Sequence, residues 1–132
     1  MLLAEDDQAL RTLLSALLSK DGHHVIAASD GDELVDAHAQ LPRDRQSRTV
    51  VVSDLAMPNR GGLAACEEIR SREAGVAVVL MGAFSEVADE ERARALRAAM
   101  FVKPFELSRL RALVRELMDD PSATASSVFA RL

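Results

Sequence analysis

Cysteine occurs once, tryptophan and tyrosine not at all, and phenylalanine four times in 132 residues. With Cys66 alone an internal disulfide is excluded, which fits a reducing compartment. Cys66 lies in a helical pattern and reads as a small core residue rather than a nucleophile. Positive charge is also in deficit: 16 Lys and Arg face 21 Asp and Glu, for a formal net charge of −5. Such a surface offers nothing for binding along a nucleic-acid backbone, so no direct nucleic-acid partner is expected. No apolar run approaches the roughly 20 residues that span a bilayer, so no membrane partner is expected either. The opening Met1-Leu2-Leu3-Ala4-Glu5 is too short and too acidic for a signal peptide, and the expected location is cytoplasmic. What the chain does have is 48% hydrophobic residues, enough for one domain with a real core.

The most informative stretch is Val50-Val51-Val52-Ser53-Asp54-Leu55-Ala56-Met57-Pro58-Asn59. Three β-branched residues run into a lone aspartate, and Pro58 and Gly61-Gly62 break the chain beyond it. A continuous apolar run bounded by turn signals reads as a strand buried on both faces, here Thr49 to Ser53. Similar short runs predict strands at Leu2-Leu3-Ala4, Val25 to Ala28, Val76 to Met81 and Phe101-Val102. Helical spacing of apolar residues predicts helices from Gln8 to Lys20, around Leu34 to Ala39, from Leu63 to Arg72, from Glu86 to Ala99, and over Leu107 to Leu117. The helix at Glu86 to Ala99 has a face made mostly of alanine with Leu96, so a weak grip on the sheet is expected. Pro42 to Arg48 reads as a polar loop. Residues 119–132 read as a tail or the start of a linker, leaving a domain over residues 1–118.

Strands and helices thus alternate five times. That pattern calls for a doubly wound parallel sheet with five helices, in the flavodoxin-like order 2-1-3-4-5. The carboxyl ends of strands one, three and five, expected to meet at the switch point, carry Glu5-Asp6, Asp54 and Lys103. Three carboxylates at one sheet edge repel each other and push at least one pKa upward. A hard divalent cation with oxygen ligands removes that cost, and Mg²⁺ suits a site that keeps several waters. With no His or Cys nearby, zinc is disfavoured. Lys103 adds a second positive point for a phosphate oxygen. A solvent-open carboxylate beside such charges is set up to attack a phosphoryl group.

Leu3-Ala4-Glu5-Asp6-Asp7, Ser53-Asp54-Leu55-Ala56-Met57-Pro58 and Val102-Lys103-Pro104-Phe105, in that order, resemble the motifs of CheY-type response-regulator receiver domains over residues 2–118. The resemblance implies a non-enzymatic signalling module of a two-component pathway, with Asp54 as phosphoacceptor. It implies that Asp6 ligates Mg²⁺ directly, Glu5 mainly through water, and Asp54 and the Ala56 carbonyl complete the set. Lys103 and the backbone N–H groups of Ala56 and Ala83 would hold the phosphoryl oxygens, and Lys103-Pro104 would be cis. Asp7 lies one place past the acidic pair and receives no metal role. The implied partner is a histidine kinase or phosphotransfer protein, with a homodimer through the fourth-helix to fifth-helix face also compatible.

Two positions depart from the family. Gly82 stands where a Ser or Thr hydroxyl turns toward the phosphoryl group, and Met100 stands where a coupled Tyr or Phe is common, with Phe101 one place later. Ser85 lies too far along the loop to stand in for the hydroxyl. These departures keep a second reading open, a pseudo-receiver that docks or dimerises without phosphate. A phosphatase of the haloacid-dehalogenase type would need an acid two residues after Asp54, where Ala56 cannot move a proton. A flavin or nucleotide carrier would need a Gly-rich phosphate loop where Glu5-Asp6-Asp7 would repel phosphate. His23 and His24, adjacent in an extended lead-in, point to opposite faces and make a poor chelate.

Overall fold

A computed structural model describes all 132 residues. Five strands, β1 (Leu2–Ala4), β2 (Ile26–Ala28), β3 (Val50–Asp54), β4 (Ala77–Gly82) and β5 (Ala99–Val102), form one sheet in the order β2-β1-β3-β4-β5. Every neighbouring pair is parallel. Both the order and the parallel sense are those expected from the sequence.

The two-residue period of the strands divides the core in two. Leu2, Val51, Val78 and Leu80 point to one face, covered by α2 (Gly31–Ala39), α4 (Gly62–Arg72) and α5 (Val87–Ala95). Leu3, Val50, Val52, Val79, Met81 and Phe101 point to the other, covered by α1 (Gln8–Lys20) and α6 (Leu107–Asp119). Local signals set the helix ends. The Asp7 carboxylate accepts from the Leu10 N–H at 2.9 Å and so caps α1, which accounts for the third acid of Glu5-Asp6-Asp7. The Asp30 carboxylate does the same for α2 through the Glu33 N–H at 2.8 Å. Gly22, at φ +97°, takes the left-handed turn that stops α1.

Seven helices form rather than five. The polar stretch read as a loop contains the single turn α3 (Arg43–Gln46), steadied where the Gln46 amide donates to the carbonyls of Ala39 and Leu41. The stretch read as a tail contains α7 (Ala125–Arg131), which packs beside β5 and α6. Ala125 and Val128 are buried there, and the Phe129 ring lies 4.7 Å from that of Phe101. The helix expected to reach Ala99 closes at Ala95. Arg97 turns the chain in the left-handed region at φ 53°, and Ala99 and Met100 enter β5 instead. Cys66 is buried in the core, where burial pushes its thiol up to about 12, as befits an inert side chain. His23 and His24 precede β2, and the Thr49 expected in β3 lies just outside it.

Candidate functional site

The site lies beyond the carboxyl ends of β1 and β3. Glu5 follows β1 directly and Asp54 ends β3, so the pairing of Ala4 with Ser53 sets the two carboxylates side by side. The close approach of α4 makes Gly62 obligatory: a Cβ there would lie 2.0 Å from the Asp54 carbonyl oxygen. Arg11, one turn into α1, donates from Nη1 to the Glu5 carbonyl at 2.8 Å and holds the end of β1 in place. No sequence motif marks Arg11, although a cation near a helix N-terminus runs against the helix dipole and is a signal in itself.

Glu5, Asp6 and Asp54 each bring a carboxylate oxygen within 4.8 Å of the others. Glu5 and Asp54 are buried, while Asp6 is exposed. The Lys103 ammonium bridges them, 2.8 Å from Glu5 Oε1 and 3.3 Å from Asp54 Oδ2. Strand β4 lies between β3 and β5, as the expected order requires, and Lys103 reaches Asp54 across the end of β4. The Lys103 N–H donates to the Gly82 carbonyl at 3.0 Å, and the Lys103-Pro104 peptide is cis.

The carboxyl of Asp54 is pushed up to about 7, first by burial and then by the Glu5 hydrogen bond and charge, with Lys103 pulling the other way. Burial lowers the Lys103 ammonium, but the Glu5 hydrogen bond and the charges of Asp54 and Glu5 outweigh it and hold it above its usual range. The cluster therefore carries more negative charge than Lys103 alone balances, and its donors are all oxygen. Those two facts fit Mg²⁺, as the family resemblance implies. Ala56 and Ala83 line the same cavity of about 500 Å³ as Asp54 and Lys103. Neither backbone N–H of these two alanines has a partner in the protein, so both are free for an anionic oxygen.

The departing positions take definite places. Backbone pairing continues one residue past β3, with the Leu55 N–H on the Met81 carbonyl at 2.7 Å. That sets the Leu55 side chain against Gly82, where a Cβ would come within 2.7 Å of Leu55 Cβ. Met100 packs on the α2–α4–α5 face of the sheet and Phe101 on the other, so the aromatic one place later points to the opposite face from position 100. Phe101 instead lies in an aromatic group with Phe105 and Phe129. Phe84 adopts φ 51°, is buried, and lines the cavity together with Ser85. Leu55 and, on α5, the cavity-lining Arg92 were not singled out from sequence, because neither belongs to a motif.

Fold and site together define a receiver-type module. The family model for the response regulator receiver domain matches residues 1–115, and the chain belongs to that family. Among curated relatives, the probable transcriptional regulator ycf27 of Guillardia theta is 32% identical over 129 residues, covering 96% of this chain and 48% of that protein. The transcriptional regulatory protein PdtaR of Mycobacterium tuberculosis is 38% identical over 112 residues, covering 83% of this chain and 52% of that protein. The chain thus spans about half the length of these relatives. Among solved structures, the response regulator protein TrrA of Thermotoga maritima, in complex with Mg²⁺-BeF, superimposes with a TM-score of 0.74 at 26% identity, over 88% of this chain and 96% of that one. No helix here is long and apolar enough to cross a membrane.

Proposed function

We propose that this receiver domain takes a phosphoryl group on Asp54 from a phosphohistidine donor and relays it as a change of conformation. An Asp54 carboxylate oxygen attacks phosphorus, the P–O bond forms as the P–N bond breaks, and the donor imidazole leaves with the electron pair. The observation that carries this reading is the strained pairing of two buried carboxylates, Glu5 and Asp54, on one lysine. A docking module would have no use for so costly a charge cluster.

Glu5, Asp6, Asp54 and the Ala56 carbonyl would hold Mg²⁺, which supplies charge neutralisation for the cluster and the incoming phosphoryl oxygens. Lys103 holds one phosphoryl oxygen, and the free N–H groups of Ala56 and Ala83 hold the others. Ala56 puts no acid two residues after Asp54, so the domain lacks the acid/base group of a phosphatase. The partner is a histidine kinase or phosphotransfer protein, and the module works in the cytoplasm. Output through DNA, as the names of the relatives suggest for them, would fall to another part of a longer protein.

Phosphotransfer from a phosphorylated histidine kinase tests this reading. A label on the native chain that hydroxylamine removes, and that Asp54→Asn does not acquire, is the expected result. The place of Leu55 against Gly82 favours one alternative, a pseudo-receiver that docks or dimerises without phosphate. A native chain that acquires no label while remaining folded would establish it.

A further inference from the structure

The cavity that holds Asp54 and Lys103 reaches one more cation, Arg92 of α5. Its guanidinium is engaged from the outer side by Glu67 of α4, with Nε 3.1 Å from Oε2 and Nη2 against Oε1. Asp89 Oδ1 stands 3.9 Å away. Both partners of the Arg92–Glu67 pair are well exposed, at 44% and 40%. Exposed pairs of this kind contribute little to stability and exchange partners readily. Yet this pair is a principal tie of α5 to its neighbour, because within α5 only Ala93 is buried and Val87 is 72% exposed.

A phosphoryl group on Asp54 would change the balance around Arg92. It places about −1.5 to −2 charges on three acceptor oxygens, in place of the single charge of the Asp54 carboxylate that the acyl bond consumes. Lys103 is already divided between Glu5 and Asp54. Gly82 supplies no hydroxyl, and Leu55 stands beside it. We propose that Arg92 is the phosphoryl sensor of this domain: on phosphorylation it leaves Glu67 for the phosphoryl oxygens and carries α5 with it. The inference rests on the phosphoacceptor reading of Asp54. A planar guanidinium suits the task, since it binds phosphate through two parallel N–H bonds. A ligand shifts a conformational equilibrium only by its differential affinity for the two states, and Arg92 supplies that difference in place of the missing hydroxyl.

Two substitutions break the same ion pair with opposite expected effects. Beryllofluoride with Mg²⁺ serves as the phosphoryl mimic on the full chain, with circular dichroism confirming the fold of each variant. Arg92→Gln should weaken beryllofluoride binding about tenfold, roughly 1.4 kcal/mol. Glu67→Gln releases Arg92 and should tighten binding about threefold. Arg92→Lys should recover part of the loss. Hydrogen exchange should show protection rising over residues 87–95 when the native chain binds beryllofluoride, and no such rise in Arg92→Gln. If Arg92 and Glu67 merely staple two helices, both substitutions will move affinity the same way or not at all, and the sensor is overturned while the phosphoacceptor reading stands. A native chain that binds no beryllofluoride and accepts no phosphoryl group overturns both.

Discussion

Leu55 occupies the space that a side chain on Gly82 would enter. A Cβ added to Gly82 would lie 2.7 Å from Leu55 Cβ and 3.3 Å from Leu55 Cδ2. The contact is with the base of the leucine, which the Leu55 to Met81 backbone bond holds in position, so rotation of its tip gives little relief. Loss of the family's hydroxyl at position 82 is thus coupled to the residue that follows Asp54.

Restoring the hydroxyl alone should therefore fail. Gly82→Thr is expected to destabilise the fold by about 1–3 kcal/mol through overpacking. Leu55→Gly in the same chain removes the Cβ that blocks position 82 and should relieve most of that cost, giving a coupling energy visible in a denaturant double-mutant cycle. Additive losses in the cycle would show that the two side chains do not compete for one space.

Stability should depend on pH through Asp54. Its carboxyl is raised to about 7 in the folded chain from an ordinary value of 3.8, so the folded state binds the proton more tightly. The resulting stabilisation is fully present below about pH 4 and is lost as pH rises through 7. Without metal, the chain should lose about 3 kcal/mol between pH 5 and pH 8 from this group. The lowered carboxyls of Asp21, Asp30, Glu33 and Asp120 act at more acid pH, while the Met1 amine, lowered from 8.0 by burial, works against the Asp54 trend at the upper side of the window. Asp54→Asn should flatten the dependence. Mg²⁺, competing with the proton for the same oxygens, should raise Tm more at pH 8 than at pH 5.

The phosphorylated form should be long-lived. Ala56 lines the cavity with no group able to orient water, and Phe84 is buried against the same space. Ala56→Asn should quicken self-dephosphorylation, read as the decay of the phosphorylated species by intact mass. An unchanged or longer half-life would contradict the role given to these two positions.

Residues beyond α6 should contribute to the fold. Phe129 lies 4.7 Å from Phe101, and the Arg109 guanidinium sits 5.0 Å above the Phe129 ring. Because Phe129 is only partly buried, Phe129→Ala should cost about 2–3 kcal/mol, near the low end for such truncations. Urea denaturation checks this, and a loss below about 0.5 kcal/mol would mean that α7 is not part of the cooperative unit.

Much of the fold was legible because the buried strands are short apolar runs and the helices carry regular apolar faces. Leu10, Leu14 and Leu18 mark α1 as plainly as Val50 to Val52 mark β3. The acids and the lysine were legible because each follows a strand directly. What the sequence concealed depends on distant partners or on backbone turns without a signal residue. Nothing in Ser122 to Leu132 announces that Phe129 will meet Phe101. Arg97 takes a left-handed turn that a glycine would have advertised, and so the end of α5 and the start of β5 were misplaced. The filling of the switch position by Leu55 is a matter of three-dimensional contact, and the glycine at 82 showed only half of it.

The most direct test of the account is the mass of the intact chain after incubation with acetyl phosphate and Mg²⁺. The native chain should gain the mass of one phosphoryl group, and Asp54→Ala and Asp6→Ala should gain none. A folded native chain with no gain, or an equal gain in Asp54→Ala, would contradict the assignment of Asp54 as the phosphoacceptor.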